Sequence, residues 1–230
     1  MEQELFDRFN EELDRQGFAA KSGIIVDGTF VEVPRQRNTK EENEQIKRCE
    51  VPQRIAENPH VLAQKDLDAE WAKKGNEVHF GYKDHAAIDE EYKLIRGYGV
   101  TGAAAHDSEP YLDVMPEEPA YPDQEAFADS AYSGEKIDTE LKNRGYVPFI
   151  CEKGYRNKPL TEEQKAMNRV KSSVRCRVEH IFGSQKMRMG NEVLRSIGFA
   201  RANFWIGMRN LMYNMSRLVS LKRPKPVKSG

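Results

Sequence analysis

Residues 23–33 read Gly-Ile-Ile-Val-Asp-Gly-Thr-Phe-Val-Glu-Val, and no other run constrains the chain as tightly. β-Branched and aromatic residues recur there at period two, which predicts a strand lying on a sheet. Asp27 stands in its middle, where a carboxylate is locally unfavourable. Local rules are expected to fail at functional sites, so Asp27 is a candidate functional residue. A second apolar run, Ala126-Phe-Ala-Asp129-Ser-Ala-Tyr132, sets another acid at the end of another short strand.

Around these strands the periodicity alternates. Leu5, Phe6, Phe9 and Leu13 recur at helical spacing and predict an amphipathic helix over residues 2–16. Residues 77–88 and 91–101 read as two strands of a hairpin turned at Asp89-Glu90. The proline-rich stretch with Pro110, Pro116, Pro119 and Pro122 leaves room for one short helix near Tyr111. Residues 135–144 form a helix closed by Gly145, and 146–151 a strand. One long helix is expected over 161–186, opened by Thr161 and Gln164 in capping-box register. In a last helix, 201–221, Phe204, Trp205, Met208, Leu211, Met212, Met215, Leu218 and Val219 read as a core-facing stripe. Residues 35–75 are charged with few apolar anchors, so a polar loop or insertion is expected there. The order is that of a mixed α/β layer domain.

Composition narrows the function. Mean hydropathy is −0.78 with 38% hydrophobic residues, polar but sufficient for a core. No run of about 18 apolar residues occurs, so no membrane span is expected. The acidic start MEQELFDRF is unlike a signal peptide. Cys49, Cys151 and Cys176 form no CxxC pair; they imply neither a disulfide framework nor a zinc site, and fit a reducing cytosol. The five histidines show no HxxxH pattern and no phosphate-binding GxxxxGK[ST] loop is present; the G-Y-G-V-T-G stretch at 97–102 sits in a strand-like run and reads as structural. Net charge is −1, but residues 1–152 carry 18 Lys+Arg against 33 Asp+Glu, and residues 153–230 carry 18 against 4. Such asymmetry points to contact with nucleic acid or a membrane surface.

Glu179 is the third candidate acid. On a helix, Val174, Val178 and Ile181 share one face. Ser172, Arg175, Glu179 and Lys186 fall within about 60° of one another on a neighbouring face. Each acid alone has ordinary structural uses, a turn cap or a solvated Glu–Arg pair. Three converging carboxylates serve a narrower chemistry, metal-assisted phosphoryl transfer. Hard divalent cations take oxygen ligands, and two of them can activate the attacking oxygen and stabilise the leaving one. Arg175 and Lys186 beside Glu179 suit a phosphate backbone.

The segments IVDGTFVEVPRQRN (25–38), QKDLDAEWAKKGNEVHFGYKDHAAID (64–89), FADSAYSGEKIDTELKNRGYVPFICEKGYRNKPLT (127–161) and VKSSVRCRVEHIFGSQK (170–186) resemble DDE transposases of bacterial insertion sequences, most nearly the IS-five type. The resemblance covers residues 1–221. It implies a ribonuclease H-like α/β fold, a mixed sheet flanked by helices, with Asp27, Asp129 and Glu179 as catalytic, metal-binding acids. The family signature Tyr-x2-Arg-x3-Glu-x6-Lys reads here Ser172-x2-Arg175-x3-Glu179-x6-Lys186, with serine at the tyrosine position. Residues 130–178 leave no room for a large inserted domain.

The resemblance further implies DNA cleavage and strand transfer with Mg²⁺ or Mn²⁺, two ions per site, on the element's inverted-repeat ends and on target DNA. It also implies a dimer on DNA and a bacterial cytoplasmic location at the nucleoid. Arg175 and Lys186 are the implied DNA contacts near the scissile phosphate. Lys73, Lys74, Lys83 and His85 lie beside matched motif positions, Arg156 reads as a phosphate contact, and Trp71 is a candidate to stack on a base. Residues 1–20 are expected to end an N-terminal helical region, 21–221 to form the catalytic domain, and 222–230 to be a disordered basic tail. The competing expectation is an idle transposase remnant that binds DNA or a full-length transposase without turnover.

Overall fold

The β-branched run around Asp27 builds the centre of the sheet. The computed structural model describes residues 1–20, 22–189 and 193–223, so the basic tail beyond Arg223 lies outside the described residues. Its six strands are β1 (Ile24–Glu32), β2 (Glu70–Lys74), β3 (Glu77–Asp89), β4 (Ile95–Gly102), β5 (Glu125–Ala128) and β6 (Val147–Ile150). They lie in the order β2-β3-β1-β5-β6, with β4 also paired to β3. The long β3 gives one edge to β1 and the other to β2 and then β4, all antiparallel. β1, β5 and β6 run parallel. This is an open mixed sheet, as expected.

Nine helices surround it among the described residues: α1 (Glu2–Arg15), α2 (Lys40–Lys47), α3 (Gln53–Ala56), α4 (Pro59–Leu62), α5 (Tyr111–Val114), α6 (Glu135–Asn143), α7 (Glu162–Arg175), α8 (Glu179–Met189) and α9 (Phe199–Lys222). The period-two alternation of the strands sorts the core into layers. Ile24 and Val26 join Ala126, Ala128, Tyr111, Ile137 and Leu141 on the α5/α6 face. Ile25 and Phe127 join Phe6, Val178, Ile181 and Phe182 on the other, beneath α1, α8 and α9. Here α1 is part of the core, with Phe6 fully buried and meeting Tyr98 edge-on at 4.9 Å.

Three elements differ from expectation. Residues 35–75 are no continuous loop, since they fold into α2, α3, α4 and the edge strand β2. Hydrogen bonds rather than apolar periodicity hold them. Thr39 and Glu42 form a reciprocal capping box, Asn58 accepts from His60 and Val61, and Arg54 clamps Glu42 at 2.6 Å. The long helix is interrupted by a 3₁₀ turn at Cys176–Val178. Val174, Val178 and Ile181 nevertheless pack into one core cluster across this turn.

The third difference is in α9. Its expected core stripe is divided, because the helix buries Ala202, Ile206, Gly207, Asn210, Leu211, Tyr213 and Asn214. Trp205, Met212, Met215 and Val219 are left exposed. Buried Asn210 bonds Gln185 and Asp84, and Asn214 bonds both the N–H and the C=O of Ile95. Long-range polar partners, invisible in a hydrophobic pattern, set the rotation of this helix.

Candidate active site

Parallel pairing sets Ile25 against Phe127. Two residues further along each chain, Asp27 and Asp129 point to the same face, on neighbouring strands about 4.8 Å apart. That is the α7/α8 side of the sheet. Asp129 caps the 3₁₀ turn Ser130–Tyr132, its Oδ1 accepting from the N–H of Ala131 at 2.7 Å. Asp27 Oδ1 accepts from the N–H of Gly28 at 2.8 Å. Its Oδ2 accepts from Arg175 Nη1, also at 2.8 Å. One oxygen of each acid is thereby oriented by backbone.

Burial pushes the Asp27 carboxyl above its usual range, and the neighbouring Asp129 pushes the same way, against the pull of Arg175 and the Gly28 N–H. Both acids in turn hold the Arg175 guanidinium charged more firmly than usual, against its partial burial. Lys74 is close enough to favour ionised Asp27. Beneath the pair, Gly28 lets two buried groups approach the backbone. A Cβ there would meet His85 Nδ1 at 3.0 Å and the Tyr132 hydroxyl at 3.7 Å. Burial and the charges of Asp27, Asp107 and Asp129 raise the Tyr132 hydroxyl far above its ordinary value.

Glu179 does not stand with the pair. It is exposed at the start of α8. Among the described residues, no three His, Cys, Asp or Glu side chains gather as a metal-holding group. The donor set brought together is therefore the two aspartates. Paired carboxylate oxygens suit a hard divalent cation, which is often held by one or two carboxylates plus water and phosphate. The cation already drawn to them, Arg175, is the observation that tests this fit.

The other expected DNA contacts separate into two groups. Lys73 and Lys74 are exposed and line a cleft of about 420 Å³ with Gly28, Thr29, Phe30 and Trp71. Lys186 is exposed in an adjoining cleft of about 430 Å³, with Phe30 as a shared wall and Arg35 opposite. Arg156 is exposed on the connection between β6 and α7. Lys83 lines the same cleft as Lys73 and Lys74 but is tied to Ala105 O and Asp107 at 2.6 and 2.7 Å. His85 is fully buried, with Nε2 at 2.9 Å from Thr101 Oγ1, so it supports the site from below and does not reach a phosphate. Trp71 packs against Phe80 at 4.6 Å and lies under Arg35, a core role more than a stacking platform.

Two residues of the site lie inside the matched segments 25–38 and 127–161, yet the pattern gives neither a role. Tyr132 shows there only as the end of an apolar run, and Arg35 only as one charge in a polar stretch. Their places come from pairings distant in sequence.

Paired strand acids thus stand on an open mixed sheet beside exposed lysines. The sequence profile of the transposase DDE domain family matches residues 19–215, and the chain belongs to that family. A transposase for insertion sequence element IS1106 from Neisseria meningitidis serogroup B is 30% identical over 186 residues, covering 79% of this chain and 60% of that relative. The chain thus spans about 60% of the length of this curated relative. No solved structure matches it. Among the described residues no helix is long and apolar enough to cross a membrane.

Proposed function

We propose that the chain is the catalytic domain of a transposase that cuts the ends of an insertion sequence and joins them to target DNA, with Asp27 and Asp129 as its metal-binding acids. The observation that carries this reading is the register of β1 against β5, which sets the two carboxylates side by side with Arg175 on Asp27. Bound Mg²⁺ or Mn²⁺ supplies charge neutralisation at the scissile phosphate and a lowered pKa for the attacking water or 3′-hydroxyl. The chain's own residues do the rest. The N–H groups of Gly28 and Ala131 fix one oxygen of each aspartate and leave the other for ligation. Arg175 exchanges Asp27 for a phosphate oxygen, which it grips through its fork of donors. Lys73, Lys74 and Lys186, with Arg156 further along, track the backbone without reading sequence.

Glu179 is the proposed further ligand, serving a second ion. The active assembly on this reading is a dimer on DNA. One observation favours the competing reading of an idle DNA-binding remnant, namely that Glu179 stands apart from the aspartates. Incubating the full chain with labelled duplex carrying the element ends, with and without Mg²⁺, separates the two. Catalysis predicts metal-dependent nicks with free 3′-hydroxyls that disappear in Asp27→Ala, Asp129→Ala and Glu179→Ala. Binding without nicking under all conditions establishes the remnant, and nicking unchanged in the three variants overturns the residue assignment.

A further inference from the structure

The parallel ladder that brings the two aspartates together stops short of them. β1 and β5 are registered at Ile24 with Ala126 and at Ile25 with Phe127. Past that point no pairing between the two strands fixes the distance from Asp27 to Asp129. The opposite face of the sheet holds the groups able to do so.

His85 stands across the β1–β3 ladder from Gly28, one position along from Asp27. Tyr132 closes the 3₁₀ turn that Asp129 caps, and its own N–H donates to Asp129 O at 3.2 Å. Both side chains are fully buried. His85 Nδ1 and the Tyr132 hydroxyl lie within 3.7 Å of the point where a Cβ on Gly28 would stand. Neither atom has a hydrogen-bond partner among the described residues. Buried polar atoms are rarely left so, because an unmade bond there is costly.

Thr101 settles what each atom needs. Its hydroxyl donates to Gly102 O at 3.1 Å and therefore accepts from His85 Nε2 at 2.9 Å. The neutral imidazole then carries its proton on Nε2 and offers a lone pair at Nδ1. The Tyr132 phenol, kept protonated by burial and by nearby Asp27, Asp107 and Asp129, offers a proton. An acceptor and a donor thus face each other across the one residue type that has no side chain to part them.

We propose that the Tyr132 hydroxyl hydrogen-bonds to His85 Nδ1 across Gly28, directly or through one buried water, and that this strut sets the separation of Asp27 and Asp129, on the reading of those acids as metal ligands. Tyr132 and His85 are then positioning residues. One is anchored through Thr101 to the antiparallel part of the sheet, the other to the turn that carries Asp129.

Two changes at position 85 separate this role from packing. Gln sets its amide near the place of Nε2 and keeps the Thr101 contact, whereas Asn sets an acceptor near the place of Nδ1 and gives Thr101 up. Tyr132→Phe removes a single oxygen and keeps the ring against Tyr111. Mn²⁺ affinity of the full chain, measured calorimetrically without DNA, should fall about fivefold in Tyr132→Phe and in His85→Gln. It should stay near wild type in His85→Asn. Gly28→Ala, whose Cβ would meet Nδ1 at 3.0 Å, should show the same loss as Tyr132→Phe. Tyr132→Phe combined with His85→Gln should lose no more than either change alone. Nitrogen NMR of the histidine-labelled chain reads the bond without metal, and Tyr132→Phe should move the His85 Nδ1 resonance toward that of a free lone pair. A purely structural role predicts the reverse order at position 85, with Gln milder than Asn. That order, additive losses, or an Nδ1 resonance indifferent to Tyr132→Phe overturns the proposal. A wild type that takes up no Mn²⁺ refutes the paired aspartates and the positioning role with them, while the Nδ1 resonance still decides whether the hydrogen bond exists.

Discussion

The guanidinium of Arg175 donates from Nη1 to Asp27 Oδ2 at 2.8 Å, joining positions 148 apart in the chain. It places a fixed cation on the carboxylate proposed to hold a metal ion. Removing it has two opposed consequences. In Arg175→Gln, repulsion of a divalent ion falls, and Mn²⁺ affinity measured calorimetrically without DNA should tighten about tenfold. DNA cleavage should nevertheless drop, because the phosphate loses its forked donor. Weaker metal binding in this variant would show that Arg175 organises the site instead of competing for it.

Lys73 and Lys74 are expected to act as phosphate contacts without sequence preference. Replacing both by Ala should weaken binding to all duplexes alike. It should also lower the slope of log affinity against log salt by about 0.9 for each lysine removed. Fluorescence anisotropy at several salt concentrations measures this. An unchanged slope removes the two lysines from the interface.

His85 gives a pH-dependent stability with a definite sign. Burial depresses its imidazole from 6.5 to about 4, helped by Lys83 and opposed by Asp107. The unfolded chain therefore binds a proton that the folded chain refuses as pH falls through this window. Stability is intact above about pH 6.5 and declines toward pH 4, by on the order of 3 kcal/mol. Thermal melts should show that decline in the wild type and a shallower one in His85→Gln, which keeps a partner for Thr101. Equal slopes would exclude His85 as the source.

Asn214 holds α9 to the sheet by replacing a strand partner. Its side chain accepts from Ile95 N at 2.8 Å and donates to Ile95 O at 2.7 Å. Asn214→Leu fits an apolar helix pattern better, yet it strands two buried backbone groups. It should destabilise the fold by about 2–4 kcal/mol in urea unfolding. A neutral result would mean that this backbone is satisfied some other way.

Much of this architecture is legible in the sequence, because period-two strands announce themselves. The alternation that buries Ile24, Ile25 and Val26 also fixes where Asp27 points, and the same reading holds for Phe127 and Asp129. Directional hydrogen bonds hold the parts that the pattern hides. The short helices between residues 40 and 62 rest on Thr39, Asn58 and the Arg54–Glu42 pair, which leave no hydrophobic periodicity. No glycine or proline marks the 3₁₀ turn at Cys176–Val178, so the interruption of the long helix is invisible before folding. The rotation of α9 is set by Gln185, Asp84 and Ile95, partners remote in sequence. His85 sits in a motif beside charged neighbours, and only the sheet shows that it is buried.

On the proposed reading the metal centre begins as a pair, Asp27 with Asp129, which Glu179 joins later. Mn²⁺ binding to the DNA-free chain decides the matter, followed by calorimetry or by the loss of the free-ion electron paramagnetic resonance signal. Asp27→Asn and Asp129→Asn should each weaken binding more than tenfold, while Glu179→Gln leaves it unchanged until DNA is added. Binding that survives either aspartate change, or that falls as far in Glu179→Gln without DNA, would refute the paired-aspartate centre.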